Sequence, residues 1–574
     1  QLALDVERHL ASLPISAGAD SWRYRSGKFV RRNRFAVAGA TLLAVSLIAG
    51  AVGTFWQAQR AQRRFDEVRS LANTFLFRFH DEIRDLPGST RARELVASTA
   101  LEYLDKLSAD AENDENLQME LGAASEKVGD VLGNPRNSNL GRTDEARASY
   151  EKSLQLRLAA SGAEVDRTIE GRAVLQSHLK LADVFLNGGK TDESKPHVDA
   201  ALALAERYGT PLDRAGAFSR HGEFALRRGD LATAEREHKK AFAQAQQAAA
   251  REPGTAANDA LVLTSSRLGA VYKMASRQRE AVDALDVALQ AALRLEAAEP
   301  ARTTHVRTIM KLRNDRGDVL RSPFAAEGMR PDLSLKEYED ALTRAAWLAQ
   351  VDPSEYSARV AVVMAKAQIA DTWREIDPAR SLPLFEPLFA DAEQLRRDDP
   401  KNFQTQWLAA LLRLAYADAT RLAGRTADAL QRYDIAVAKI EEMRNSDRGR
   451  SISRRDIAKA LGERGAVRLS LCDVDGASRD AAACQSHVAS FVIADARPLD
   501  LRDTALCYEL AGDVALRRGD PAAVPAFDEA LLRWREFGRR NLDSPFLREH
   551  RASAEGRRNR ALTHAAQRNR PAAR

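Results

Sequence analysis

The sequence predicts an all-α protein in which one transmembrane helix precedes an α-solenoid of helix–turn–helix repeats. Three observations carry that expectation: a composition rich in Ala, Leu and Arg with only 6% aromatic residues, a 22-residue run without a charge (Phe35–Trp56), and a pattern of small and bulky residues that recurs along most of the chain. Ala, Leu and Arg are strong helix formers. At 574 residues the chain suits about four ordinary domains or one long repeat array. Its 31 Gly and 19 Pro exclude collagen-like and low-complexity classes. Three cysteines, Cys472, Cys484 and Cys507, are too few for a disulfide scaffold and lack the Cys-x-x-Cys spacing of a zinc site. Residue 1 is Gln, as expected of a processed terminus or of a piece of a longer chain.

The net charge is +6, from 87 Lys and Arg against 81 Asp and Glu, and it sits in two terminal segments. Residues 21–34, SWRYRSGKFVRRNR, hold six cations and no acid; residues 551–574 hold seven Arg against Glu555 alone. Removing +6 for each leaves −6 on the remainder, so the basic isoelectric point describes the ends, and nucleic acid is not an expected partner of the body.

The first basic segment abuts FAVAGATLLAVSLIAGAVGTFW. At about 1.5 Å per residue this helix spans roughly 33 Å, enough for a bilayer core of about 30 Å. Phe55 and Trp56 lie at its far edge, where amphipathic rings favour the headgroup layer. Six Lys and Arg precede it in 21–34, whereas 57–70 hold Arg60, Arg63, Arg64 and Arg69 beside Asp66 and Glu67. The positive-inside rule therefore puts the N-terminal side in the cytoplasm and the body outside it.

From about residue 120 the repeat begins. A small residue near the end of one helix is followed by a bulky one three later, Gly at the turn, then small, bulky and Ala positions in the second helix. KLADVFLNGGKTDESKPHVDAAL shows it as Ala182, Phe185, Gly189, Ser194, Val198 and Ala201. RHGEFALRRGDLATAEREHKKAF shows Gly222, Ala225, Gly229, Ala234, His238 and Ala241, and RLGAVYKMASRQREAVDALDVAL shows Gly269, Tyr272, Ser276, Ala281, Leu285 and Ala288. Small residues let antiparallel helices approach, bulky ones fill the adjoining gap, and Gly frees the turn. This is tetratricopeptide (TPR) logic. Further copies centre on Gly129, Gly317, Ala370, Ala417, Gly465 and Gly512, with second-helix anchors Tyr150, Tyr338, Phe385, Tyr433, Ala481 and Phe527. Two copies carry extra residues between their helices, near 132–142 and 321–333. The chain thus divides into a basic cytoplasmic segment (1–34), a transmembrane helix (35–56), a helical stalk (57–112), about nine repeats (113–540) and a basic tail (541–574). In the stalk Leu71, Phe75, Phe79 and Ile83 mark one apolar helix face before the Pro87-Gly88 break.

No catalytic arrangement emerges: His-Glu-x-x-His, Gly-x-Ser-x-Gly and the phosphate-binding Gly-rich loop are absent. His80, Asp81, Glu82 and Asp85 read as a solvated helix face rather than a metal site. Cys484 and Cys507 read as small buried helix residues, with one disulfide open to the three cysteines in an oxidising compartment. The basic tail reads as a frayed terminus, with anionic lipid or nucleic acid as its other reading. One line of residues stands out. An acid follows the small first-helix residue in seven repeats: Asp130, Asp183, Glu223, Asp318, Asp371, Asp418 and Asp513. Facing a concave groove, such a stripe would favour a cationic peptide or amine ligand. The simpler account pairs each acid with an Arg of its neighbour and makes the stripe a packing device.

The order of QLALDVERHLASLPISA, SWRYRSGKFVRRNR, the apolar run, and RRFDEVRSLANTFLFRFHDEIRDLPGSTRARELVASTALEYLDKL resembles bacterial transmembrane serine/threonine protein kinases with TPR sensor regions. The resemblance covers residues 1 to about 160 closely and the rest as diverged repeats. It implies a kinase domain upstream of Gln1 and a single-pass protein of the bacterial cytoplasmic membrane. It further implies a TPR region that takes a peptide or protein ligand outside, and homodimerisation for trans-phosphorylation. The kinase lysine, the His-Arg-Asp loop and Asp-Phe-Gly are missing here, so no catalytic residue carries over. ATP and Mg would belong to the kinase domain, and no cofactor is expected in this chain. The alternative is an anchored TPR scaffold for envelope assembly with no kinase attached.

Overall fold

The structure is a computed structural model that describes residues 2–11, 13, 15, 21–74, 92, 95, 98–100, 102, 114–134, 142–161, 168–300, 302–325, 328–353, 356–398, 403–444, 454–489, 491, 493, 498–540 and 544–568. It divides into two compact units, Gln1–His80 and Asp81–Arg574. The expected face of Phe75, Phe79 and Ile83, the Pro87-Gly88 break and the cluster His80, Asp81, Glu82 and Asp85 lie outside the described residues.

The first unit contains α1 (Leu2–Leu10), α2 (Trp22–Arg32) and α3 (Arg34–Thr74). Within α3, Arg34–Gln57 is long and apolar enough to cross a membrane, and none of it is buried. The helix does not stop at Trp56: residues 57–74 contain neither Gly nor Pro, so it continues through them without a break.

The second unit is a run of antiparallel helix pairs. They are α4 (Glu115–Gly133) with α5 (Thr143–Ser161), α6 (Thr168–Asn187) with α7 (Thr191–Tyr208), and α8 (Pro211–Arg227) with α9 (Leu231–Arg251). Then follow α10 (Thr255–Met274) with α11 (Gln278–Ala298), α12 (Thr303–Leu320) with α13 (Pro331–Val351), and α14 (Tyr356–Ile376) with α15 (Pro378–Asp398). The last pairs are α16 (Phe403–Leu422) with α17 (Thr426–Met443), α18 (Arg454–Ser470) with α19 (Val474–Val488), and α20 (Pro498–Arg518) with α21 (Ala523–Arg540), followed by α22 (Pro545–Arg568). Each helix packs on its neighbours in sequence, as a solenoid requires.

In five pairs the small glycine of the first helix meets the anchor of the second, at Gly129, Gly222, Gly269, Gly317 and Gly512; the expected anchor Ala481 is corrected, because Gly465 instead faces Leu510 of the next pair and the Asp480 Cβ. A Cβ on Gly129 would lie 2.6 Å from the Tyr150 ring, one on Gly512 2.7 Å from Phe527, and one on Gly222 2.8 Å from His238. Ala182, Ala234 and Ala281 are fully buried, as are Tyr150, Tyr338, Phe385, Tyr433 and Phe527, and Tyr272 is buried beside Leu285. The turn position is left-handed: Gly189, Gly229, Gly424 and Gly519 take φ between 64° and 81°. In two repeats a side chain bears that geometry, Ser276 at φ 57° and Cys472 at φ 63°. Caps define other starts. Thr210 and Asp213 form a reciprocal capping box on α8, and Asp230 and Asp473 accept from the first turns of α9 and α19.

The expectation of a frayed C-terminal tail is corrected over 545–568. Leu547, Ala554 and Ala561 recur at helical spacing and are buried, so α22 covers the open face of α20 and α21. The extra residues after α12 also have a structural role. Arg330 N–H donates to the Leu320 carbonyl at the base of the loop, and Phe324 and Ala325 within it are buried. Phe324 joins Leu501, Ala505, Trp534, Phe537 and Leu547 in one apolar cluster. The array therefore curves until its middle touches its C-terminal cap. Cys484 and Cys507 are buried helix residues, as expected, and are also joined by a disulfide that links α19 to α20; Cys472 is free and exposed.

Candidate functional site

The first helices of consecutive pairs, α6, α8, α10 and α12, line a shared groove of about 1240 Å³. Its lining includes the apolar side chains Leu179, Leu263 and Leu312 together with Arg, Lys, Asp and Glu. Asp183 and Glu223 line this groove; Asp130 and Asp318 do not, and Asp371, Asp418 and Asp513 belong to later pairs.

All seven acids of the predicted stripe are in ion pairs, mostly with a cation of an adjacent pair. Lys180 Nζ lies 2.6 Å from Asp130, Arg220 Nη2 2.6 Å from Asp183, and Arg267 reaches Glu223, which Arg227 also holds at 2.8 Å. Lys273 lies 2.8 Å from Asp318. Asp371 is held between Arg321 and Arg374, Asp418 meets Lys459 at 3.1 Å, and Asp513 meets Arg557 at 2.6 Å. The stripe is therefore not a bare anionic surface: each carboxylate is matched by a guanidinium or ammonium from its own or a neighbouring repeat.

Where the anchor is Tyr, its hydroxyl adds a third partner. Tyr150, Tyr338 and Tyr433 donate to Asp130, Asp318 and Asp418 at 2.7, 2.7 and 2.6 Å. Burial, reinforced by the neighbouring carboxylate, pushes all three phenols far above their usual range, so they stay protonated donors. Burial opposes the charge of Asp371, but Arg374 and Arg321 outweigh it and hold the carboxyl well below its usual range. The same balance, with Arg267 as the main cation, lowers Glu223. Farther along, Asp418 raises Lys459, and burial together with Asp418 raises Glu463, which pairs with Arg421 at 3.1 Å.

The simpler account of the stripe, acids paired with cations of neighbouring repeats, matches these pairs, with Lys180, Lys273 and Lys459 standing where Arg was expected; the sequence reading did not name the individual cations. A signal existed: Lys180, Arg220 and Arg267 each stand two residues before the small residue of their helix, in three successive repeats. An acid one repeat earlier and a cation in this register form a ladder, Asp130 to Lys180, Asp183 to Arg220, Glu223 to Arg267.

Two histidine features were not foreseen. His178 and His197 face each other with Nδ1 atoms 3.0 Å apart, one donating and one accepting, and His197 stacks on Phe185. Among the described residues no third His, Cys, Asp or Glu joins them to form a metal-binding group. His238, an anchor, is fully buried with neither ring nitrogen hydrogen-bonded. Burial, aided by Arg267, lowers its pKa to about 4, so the ring is neutral at pH 7.

No protein-family model and no curated protein sequence matches the chain. Among solved structures it is similar to the apo form of RapI, at 11% identity over 74% of this chain and 98% of that one, with a TM-score of 0.45. It is also similar to a Rap protein complexed with competence and sporulation factor, at 13% identity over 79% and 98% of the two chains with a TM-score of 0.38. A tetratricopeptide repeat protein from Parabacteroides merdae aligns at 13% identity over 61% and 99%, with a TM-score of 0.29.

Proposed function

We propose that this chain is the membrane-anchored sensor portion of a receptor-like bacterial serine/threonine protein kinase, whose solenoid binds a peptide or protein outside the cytoplasm. The groove between α6 and α12 carries the reading. Its volume of about 1240 Å³ would admit a peptide segment, with apolar lining residues to bury side chains and charged ones to offer hydrogen bonds. Because the lining charges are internally paired, recognition rests on a peptide that exchanges partners with both signs rather than on a purely cationic one. Support for the topology comes from the apolar stretch Arg34–Gln57 and from the Cys484–Cys507 disulfide, a bond that persists in oxidising compartments. The kinase link rests on the resemblance of residues 1 to about 160, which implies ATP and Mg in a domain upstream and dimerisation as the signal.

The test uses the full chain in cells. A photo-crosslinking amino acid at Lys311, exposed in the groove lining, should capture a peptide or protein, whereas the same probe at exposed Glu206 should not. Equal capture at both positions, or none at Lys311, would sink the groove as the binding site. An impermeant maleimide should label Cys472 in intact cells; labelling only after lysis would invert the topology.

A further inference from the structure

We propose that α2 is an interfacial helix that lies on the anionic headgroups of the leaflet from which α3 enters the bilayer. The inference rests on the membrane-spanning reading of α3 and assigns the adjoining segment a ligand class, anionic phospholipid.

The sequence of α2 separates into two faces. At 100° per residue, Trp22, Ser26, Phe29 and Val30 fall within an arc of about 100°, while Tyr24, Arg25, Lys28, Arg31 and Arg32 occupy the opposite side. Arg23 flanks the apolar arc, with its guanidinium 5.9 Å from the Trp22 ring centroid. Ser26 does not interrupt that arc, because its hydroxyl donates to the Trp22 carbonyl at 2.7 Å. No residue of α2 is buried: Trp22 is 74% exposed and Phe29 55%. A helix with an apolar stripe of Trp and Phe, a polar face of Arg and Lys, and no acid is the pattern that inserts shallowly at a lipid surface.

Position supplies the occupant. Asn33, at φ −110° and ψ 33°, leaves the helical region between α2 and α3, so the two are separate helices joined by one residue. Ser21 starts α2 by accepting from Tyr24 N–H. One residue from the apolar stretch, α2 is held at headgroup depth, where its apolar stripe meets acyl chains and its cations meet lipid phosphates. Six cations without an acid in 21–34 complement the charge of an anionic leaflet.

The experiment uses the full chain in lipid nanodiscs of phosphatidylcholine with or without phosphatidylglycerol. Cys472 is replaced (Cys472→Ser) and the Cys484–Cys507 disulfide is left intact. An environment-sensitive dye is attached through Phe29→Cys, Tyr24→Cys or Leu43→Cys. With phosphatidylglycerol, the dye at 29 should shift to the blue and be quenched by shallow spin-labelled lipid, while the dye at 24 stays in water. Without phosphatidylglycerol, or with Arg25, Lys28, Arg31 and Arg32 all changed to Gln, the shift at 29 should shrink at least severalfold. Water-like emission at 29 in the presence of phosphatidylglycerol would overturn the proposal, as would a shift at 29 indifferent to charge. Quenching at 43 by deeply labelled lipid reports α3 separately; its absence would remove the membrane reading itself and α2 with it.

Discussion

Phe324, in the loop after α12, meets Phe537 of α21 edge-on with ring centroids 5.2 Å apart, and meets Phe546 of α22 at 5.5 Å. Arg502 covers its ring at 5.6 Å. This contact joins the middle of the solenoid to its cap, a closure that nearest-neighbour stacking alone does not produce. Phe324→Ala should cost about 3 kcal/mol, the usual penalty for emptying a buried aromatic site. Hydrogen exchange should rise in α20–α22 and in the 321–330 loop while α6–α9 keep their protection; a uniform loss across the chain would contradict a local closure.

Glycine substitutions should grade with the space around them. Gly129→Ala and Gly512→Ala put a Cβ at 2.6 and 2.7 Å from stacked aromatic carbons, closer than any real contact, and should each cost roughly 1–3 kcal/mol. Gly269→Ala meets Leu285 Cγ at 3.1 Å, a flexible neighbour, and should cost less than either. Urea denaturation of the three variants gives the ranking, and an inverted order would mean that helix spacing adjusts freely.

Asp183 and Arg220 are both nearly buried, with side chains 6% and 9% exposed. Asp183→Asn should destabilise by roughly 3–5 kcal/mol, because it leaves a buried guanidinium without its counter-ion. Adding Arg220→Met should restore most of that loss. A single variant with unchanged melting would return Asp183 to the role of a ligand-facing carboxylate.

His238 makes stability fall with acidity. Its pKa drops from an ordinary 6.5 to about 4 on folding, so below pH 6.5 the unfolded chain binds a proton that the folded chain refuses. Stability is complete above about pH 6.5, declines as pH falls towards 4, and the decline from this group is on the order of 3 kcal/mol. His238→Phe, which copies the anchors Phe385 and Phe527, should leave stability at pH 7.5 equal or higher and should flatten this part of the profile. Melting temperatures between pH 7.5 and 5 decide it; an unchanged slope would assign the acid sensitivity elsewhere.

The Cys484–Cys507 bond closes a sequence separation of 23 residues, for which loop entropy predicts a stabilisation of about 3 kcal/mol. Non-reducing peptide mapping should recover that pair with Cys472 alkylated, and reduction should lower the melting temperature. Cys472→Gly should add roughly 1 kcal/mol of stability, since φ 63° suits glycine and strains a side chain. A Cys472-containing disulfide in the map would refute the pairing.

Much of the repeat was readable in advance because its cause is local. Gly222 with His238 and Gly512 with Phe527 face each other across one short turn, and Gly129 with Tyr150 within one helix pair, and a residue too large or too small at any of these places spoils that contact directly, so the pattern is written in the sequence. The uncharged run at 35–56 is equally direct: composition alone makes a helix that apolar.

The residues that escaped depend on geometry between repeats. Which cation meets Asp183 is set by the offset of α8 on α6, and two residues forward or back would select another side chain. The charge count of the tail implied solvation, yet Leu547, Ala554 and Ala561 find cover only because α20 and α21 leave a face open. Phe324 and Phe537 have no shared periodicity; they touch because the accumulated rotation of the intervening pairs brings them together. By itself the sequence determined the helix pairs, their anchors and the apolar helix, since those follow from neighbours a few residues apart. Only the tertiary structure decided the ion-pair ladder, the ordered cap and the closure, since small rotations summed over many repeats set those contacts.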